Sequence, residues 1–456
     1  MVSRPVSAAA LPLNRPPWVA ATVFAALATA LITWPTWPGY MSYDSLLAWD
    51  QARYGVRTAL WPPLHTYLFQ LGDMAGSGPG VLFAVQTFVL ILGATLTLRM
   101  LTPGRSLGWL LAVFFLGGLA AFPTLLGSML AHWRDVPTGA FALLGLAFWL
   151  AAAQSRTAWL LAPAILAFGV ALGLRYNALV LVAPMIALMI WRPFLGGPTG
   201  PAPRIIVVAA TVLSLGLGWA STQWRLPDLV RLPNPGGLGG AQLFDVIGVS
   251  ACSGMNYVPS IVTGGQPVTV RQLRQAYDPR HLHATLTPRP GAPRLIETDG
   301  GGVVQQVWRD LLLREPVCYL EHRSAVFVEQ MGMARGGVFY PAHGGIDANP
   351  FGLALERPDA ARAVSAYVAA TADDPWRRPW ILYPAALVLA LAAAMRERRA
   401  FWLLGALMAG AFAYPALLFV AAPAADARYI FPSNALCLLT GLAALGLMAT
   451  RRRALR

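Results

Sequence analysis

The residues in this chain best equipped for chemistry are acids and arginines at the ends of apolar stretches: Asp44, Asp50, Asp73, Asp135 and Asp426, with Arg175 and Arg428. Burying an unpaired carboxylate costs several kcal/mol, so acids that approach a bilayer are informative. None of these falls in the middle of an apolar run, and all lie where several helix ends can gather around one cavity. That pattern argues against an ion relay through the membrane and for chemistry at its surface. Asp44 and Asp50 are six residues apart, about 600° around a helix, so they do not share a face and are not a paired-carboxylate site by themselves. His281 and His283 have H-x-H spacing without a third ligand nearby and read as solvated loop histidines.

The elements that must position these groups follow from composition. The 456 residues are 57% hydrophobic and 12% charged, where soluble globular proteins carry about 25% charged residues. This excludes an ordinary soluble enzyme, a disordered chain and, with three cysteines, a disulfide scaffold. An all-α polytopic membrane protein is expected. Apolar runs long enough to cross a bilayer cover 17–37, 79–101, 107–127, 135–153, 157–174, 176–192, 204–224, 379–395, 400–421 and 428–449, which is ten. The short runs 157–174 and 176–192 read either as two crossings or as one broken, re-entrant hairpin. Ala28-Thr29-Ala30 imitates a signal-peptidase site, but Trp34 and Trp37 continue the apolar run and suit an uncleaved span with an interfacial belt.

All basic residues are arginine. On the side of the termini lie Arg4, Arg15, Arg99, Arg105, Arg156, Arg192, Arg204, Arg396, Arg398, Arg399 and the Arg451, Arg452, Arg453 and Arg456 cluster, against the single acid Glu397. The opposite side is close to neutral. The positive-inside rule therefore puts both termini in the cytoplasm, and the net charge of +14 is a topology signal and an anionic-lipid contact with no nucleic-acid partner implied. Three parts follow: a transmembrane module over 1–224, an extracytoplasmic domain of mixed helix and irregular chain over 225–378, and a transmembrane module over 379–456. In the domain, 303–333 has helical apolar spacing that Pro316 must split, with Arg309, Arg314 and Arg323 facing lipid headgroups. Cys252 and Cys318 fall there too, as a disulfide or as free thiols.

The first outer loop, 38–78, contains Leu46, Leu47, Trp49 and Tyr54 at the spacing of a short interfacial helix stopped by Gly55. A second interfacial helix opens at Pro62 or Pro63. An acid in the first outer loop, two interfacial helices, Pro62-Pro63-Leu64 opening the second, and a tail of spans after a large outer domain resemble the GT-C superfamily of membrane glycosyltransferases. Its members include protein O-mannosyltransferases and aminoarabinose transferases, which use polyprenyl-phosphate sugars at the outer membrane face. His132-Trp133-Arg134-Asp135-Val136-Pro137 resembles the superfamily's second acidic site, Arg175-Tyr176-Asn177 its basic break between adjacent spans, and Asp426-Ala427-Arg428-Tyr429 the Arg-Tyr pair opening a late helix. Two departures stand out. Trp61-Pro62-Pro63 replaces the common His-Pro-Pro, with histidine only at His65, and Ser45 stands where protein mannosyltransferases have a second acid, which speaks against protein as acceptor.

The resemblance implies an inverting transfer with Asp44 as general base, and Arg428, Arg175 and Tyr429 at the carrier phosphate. Asp135, Asp50 and His65 become acceptor or metal candidates, with Asp44 and Asp135 the ligands if a divalent cation (Mg or Mn) takes part. The partners implied are the polyprenyl-phosphate donor, an unidentified acceptor and the lipid bilayer, expected to be a bacterial inner membrane, and the arginine, Ala, Gly and Pro usage is that of a GC-rich bacterial genome. Each motif also has a plain structural reading: Asp44 or Asp135 as helix starts, Arg428 as an interfacial anchor, Arg175 bound to carbonyls at a helix break. A surface-polysaccharide polymerase or ligase, or a lipid-linked-sugar transporter, is the alternative function.

Overall fold

The computed structural model describes residues 11, 13–54, 62–76, 78–102, 104–195, 200–223, 239–287, 293–298 and 302–454. Among these the chain is helical, with three isolated β-bridges and no extended strand. The first half contains α1 (Trp18–Thr33), α2 (Tyr43–Tyr54), α3 (Leu64–Met74), α4 (Gly80–Leu101), α5 (Arg105–Ala121), α6 (Pro123–Met129), α7 (Asp135–Ser155), α8 (Leu161–Leu174), α9 (Ala178–Trp191) and α10 (Pro201–Gln223). α11 (Gly239–Ser253), α12 (Val270–Ala276), α13 (Leu282–Leu286), α14 (Val303–Arg314), α15 (Pro316–Gln330) and α16 (Pro358–Thr371) follow. The chain ends in α17 (Leu382–Arg396), α18 (Phe401–Ala421) and α19 (Phe431–Ala454).

Among the described residues each of the ten apolar runs contains helix, though not every one is of spanning length there. Six helical stretches among the described residues are long and apolar enough to cross a membrane: Trp18–Thr36, Gly80–Leu101, Asp135–Ser155, Pro379–Arg396, Arg398–Ala421 and Ala427–Ala449. The run expected over 107–127 turns through 90° between Ser106–Ala121 and Pro123–Met129, a bent pair that makes at most a seventh. The break is local chemistry: Phe122 precedes a proline and is extended (φ −99°, ψ 101°), while Pro123 lacks the N–H the helix would need. α8 and α9 have 14 residues each, about 21 Å at 1.5 Å per residue, short of the ~30 Å hydrocarbon core.

α4, α7 and α19 form the buried centre, while α1 exposes Val19, Leu27 and Leu31 on its outer side. α4 and α7 approach closely because Gly93 has no side chain: a Cβ there would lie 2.7 Å from the Leu144 amide nitrogen. A second, separate core gathers Leu243, Phe244 and Ile247 of α11 with Val304 and Leu311 of α14 and Val326 of α15. Pro316 splits α14 from α15 as its position requires, and Cys252 and Cys318 are joined, with Cα atoms 5.6 Å apart. Gly55 and most of the linker after 224 lie outside the described residues.

The two helices of the first loop form where expected, α3 opening after Pro63. Leu46 and Trp49, assigned to an interfacial face, are instead buried with Phe69 and Leu82, and Phe351 packs on Trp49 at 4.8 Å between ring centroids.

Candidate active site

Three chain segments that are distant in sequence meet at Tyr40 and Met41. On one side the Tyr40 amide donates to the Leu130 carbonyl (2.8 Å) and the His132 amide to the Tyr40 carbonyl (3.0 Å). On the other, the Met41 amide donates to the Gly345 carbonyl and the Asp347 amide to the Met41 carbonyl, both at 2.9 Å. Side chains reinforce the first seam: Ser45 Oγ donates to the His132 carbonyl (3.0 Å), Trp133 Nε1 to Ser42 Oγ (3.0 Å) and His132 Nε2 to the Pro38 carbonyl (2.8 Å). Gly39 is required beside it, at φ +103° with its Cβ direction 2.7 Å from His132 Nε2. This seam fixes two helix starts side by side. Asp44 lies in the first turn of α2 and Asp135 in the first turn of α7, where helix dipoles favour negative charge. The helix-start reading of both acids is therefore correct, and it coexists with what surrounds them.

Each carboxylate meets an arginine from far along the chain. Arg428, in the 3-10 turn Ala427–Ile430, donates from Nη2 to Asp44 Oδ2 at 2.7 Å and from Nε to Asp426 Oδ2 at 3.0 Å. Arg175, at the break between α8 and α9, donates from Nη2 to Asp135 Oδ2 at 2.8 Å. The Tyr429 ring lies beside both guanidiniums, 5.1 Å from that of Arg428 and 4.8 Å from that of Arg175. Trp133 covers Arg428 at 4.9 Å. Arg134 joins Arg175 and Arg428 in acting on Asp44, and Asp426 is tied to the group through Arg428.

Access differs sharply among them. Asp44 leaves 34% of its side chain exposed, Arg175 17%, Arg428 10% and Asp135 1%, so Asp44 is the most accessible of the four and Asp135 the least. Burial pushes the Asp44 carboxyl up, but Arg428, Arg134 and Arg175 outweigh it and hold the group below the usual carboxylate range. Burial, aided by Arg175, presses the Arg134 guanidinium down to about 9, still protonated at neutral pH.

His65 also reaches this region. It is buried on α3 against Phe69 (4.8 Å, edge-on), and neither ring nitrogen has a hydrogen-bond partner among the described residues. Burial first, then Arg134, His132 and Arg175, hold it far below its ordinary value, so it is neutral. Asp50, two turns past Asp44 on α2, joins no ion pair among the described residues and stays outside the cluster. Asp73 accepts the Trp49 indole N–H and ties α3 to α2.

A second buried network holds the turn that carries Arg428, and it corrects one expectation. Arg323 does not face lipid headgroups: it is 1% exposed, grips Asp245 with Nε (2.6 Å) and Nη2 (2.7 Å), and donates from Nη1 to the Ala422 carbonyl at the end of α18 (2.7 Å). Trp308 Nε1 donates to Asp245 (2.7 Å), and His322 bonds Tyr277 through Nδ1 (2.8 Å). The turn is held again where the Ala425 amide donates to the Arg280 carbonyl (2.7 Å) and His281 bridges Ala424. His281 is thus half-buried and structural, whereas His283 is exposed as expected.

Sequence reasoning brought together Asp44, Asp135, Arg175, Arg428 and Tyr429, all of which meet here. Asp426, singled out with the other acids, joins them, whereas Arg134 and Trp133 appeared only as neighbours within motifs. Tyr340, whose ring packs on Trp133, and His343, which bonds the Tyr340 hydroxyl and the Met41 carbonyl, were missed; the signal for them is an aromatic-histidine stretch, Phe339-Tyr340-Pro341-Ala342-His343, ahead of a glycine pair.

No family model and no curated protein matches the chain. Among solved structures it is similar to ArnT from Cupriavidus metallidurans bound to undecaprenyl phosphate, at 14% identity, covering 96% of this chain and 79% of that one with a TM-score of 0.32. The apo form of the same protein gives 14% identity, 94% and 77% coverage and a TM-score of 0.31.

Proposed function

We propose that the chain is a GT-C-type glycosyltransferase that moves a sugar from a polyprenyl-phosphate donor to an acceptor hydroxyl at the outer face of a bacterial inner membrane, with inversion. The observation that carries the reading is the 2.7 Å pair between Asp44 and Arg428, residues 384 positions apart, at the accessible edge of a buried arginine-aspartate cluster. Transfer from a phosphate leaving group needs a base for the attacking hydroxyl and fixed positive charge for the departing phosphate, and the pair places both groups together.

In this reaction the acceptor oxygen attacks the anomeric carbon while Asp44 takes its proton. The bond from that carbon to the phosphate oxygen breaks, its electron pair stays on the carrier, and a single displacement inverts the centre. Arg428 receives the phosphate, with its guanidinium kept charged and oriented by Asp426 and the flanking rings of Trp133 and Tyr429. Asp135, buried and paired with Arg175, sets the field, and Arg175 lies against the Tyr429 ring.

A divalent cation between Asp44 and Asp135 fits this arrangement poorly, since each carboxylate is already engaged by a guanidinium and no group of three or more potential metal ligands occurs among the described residues. No step is routed through one. The charge distribution supports cytoplasmic termini, with the site and the α11–α16 region on the far side.

The deciding experiment incubates membranes carrying the chain or its Asp44→Asn variant with radiolabelled polyprenyl-phosphate pentoses and hexoses. One donor class is consumed by the wild type and none by the inserted, folded variant; turnover by Asp44→Asn removes Asp44 from the mechanism.

A further inference from the structure

At the end of α18 remote from the Arg428 turn, about 30 Å down that helix at 1.5 Å per residue, the chain reverses between α17 and α18 through the 3-10 turn Arg398–Ala400. A cleft of about 580 Å³ opens there, lined by Leu391, Ala394 and Met395 of α17, Arg398 of the turn and Phe401 of α18. Leu391, Ala394, Met395 and Arg398 recur at i, i+3, i+4 and i+7, so one apolar face of the span ends in a guanidinium at its tip. Leu391, Met395 and Phe401 are all exposed on the outside of the bundle. The cleft is thus walled by apolar side chains of two spans, where hydrocarbon covers them, and is charged only at its mouth.

That charge is unbalanced. Glu397 is the one acid in 396–399, and its carboxylate accepts the Arg399 amide (3.3 Å) and lies 4.0 Å from the Arg399 guanidinium. Arg396 and Arg398 join no ion pair among the described residues. The mouth also lies at headgroup depth. Phe401 stands 5.2 Å from Trp402, and Trp402 meets Trp191 of α9 edge-on at 4.7 Å. The Arg192 guanidinium lies over both tryptophans, at 4.3 and 5.5 Å. Partly exposed tryptophans gathered at a helix end mark a membrane-water interface.

We propose that this cleft binds one anionic glycerophospholipid, with its phosphate on Arg398 and an acyl chain against Leu391, Met395 and Phe401. Charge complementarity selects the occupant. A guanidinium without a carboxylate partner takes phosphate oxygens in a bidentate fork, and basic pockets between spans at the arginine-rich end of a bundle are where anionic headgroups collect. An arginine that merely snorkels requires no cleft beneath it. A free phosphate ion would leave the apolar walls uncovered, so a lipid is the source of the phosphate. By touching both α17 and α18 the lipid braces the two spans at the end opposite the Arg428 turn.

The test titrates the full-length protein in neutral detergent with dioleoylphosphatidylglycerol, with dioleoylphosphatidylcholine and with sodium phosphate, read by thermal melting and native mass spectrometry. Phosphatidylglycerol raises the melting temperature and leaves a single retained lipid, whereas phosphatidylcholine and sodium phosphate do neither. Arg398→Gln weakens phosphatidylglycerol binding about fivefold, the worth of one arginine near an anionic surface. Arg399→Gln, which removes the same charge outside the lining, leaves binding unchanged. Ala394→Phe fills the cleft with Arg398 intact and abolishes retention. Equal effects of the two lipids, stabilisation by sodium phosphate alone, equal losses in the two arginine variants or unaltered retention in Ala394→Phe overturns the proposal. If Ala394→Phe does not insert, the comparison of the two arginine variants decides. No arm measures transfer, so the outcome is separate from that of Asp44→Asn.

Discussion

Replacing Arg428 by lysine separates charge from geometry. The guanidinium makes two charge-assisted hydrogen bonds at once, through Nη2 to Asp44 at 2.7 Å and through Nε to Asp426 at 3.0 Å, while lying against the rings of Trp133 and Tyr429. An ammonium keeps the charge but is a point donor that cannot span both carboxylates in that plane. Losing one such bond costs about 1.5–3 kcal/mol, which at 1.36 kcal/mol per tenfold lowers kcat/KM roughly 10- to 150-fold. The pH profile adds an independent sign. Arg428 is the leading influence that holds Asp44 below its ordinary range against burial, and Asp44 works as base only when ionised. Weakening that contact raises the Asp44 value, so the acid limb of kcat/KM moves to higher pH in Arg428→Lys. The assay is donor consumption in detergent across pH, with thermal melting as a check on folding. A folded Arg428→Lys protein with wild-type kcat/KM and an unmoved acid limb refutes the reasoning.

Two further outcomes follow from the supporting structure. Arg323→Met leaves Asp245 buried without its bidentate partner and the Ala422 carbonyl without its donor; the expected loss is about 3–5 kcal/mol, read as a lower melting temperature in detergent, and a melting curve like the wild type's counts against the network. Gly39→Ala meets both a positive φ and the His132 ring, with the backbone alone costing about 1–2 kcal/mol, so stability and transfer should fall together; a variant with full activity shows that the seam tolerates displacement.

What was readable in the sequence, and what was not, divides along physical lines. Asp44, Asp135, Arg175 and Arg428 stand out because charges at the ends of apolar runs are conspicuous. Pro123 after Phe122 carried the signal for the 90° break, but apolar length outweighed it in a hydropathy reading. Arg323 was misjudged because its partner, Asp245, is 78 residues away, and local spacing cannot distinguish an arginine facing lipid from one facing a distant acid. Tyr340 and His343 escaped for a related reason. Their segment has no periodicity, and its contact with Met41 closes a loop of 302 residues.

The seam at Tyr40 and Met41 is occupied along both margins, by the stretch before α7 and by the stretch ending at Asp347. The carboxylate three residues onward is consequently locked in place by two independent zippers, and no extended peptide can add to that backbone without unfastening one of them. A molecule that competes at Asp44 must therefore approach by way of its side chain, because the main chain leading into that residue has no free edge to offer.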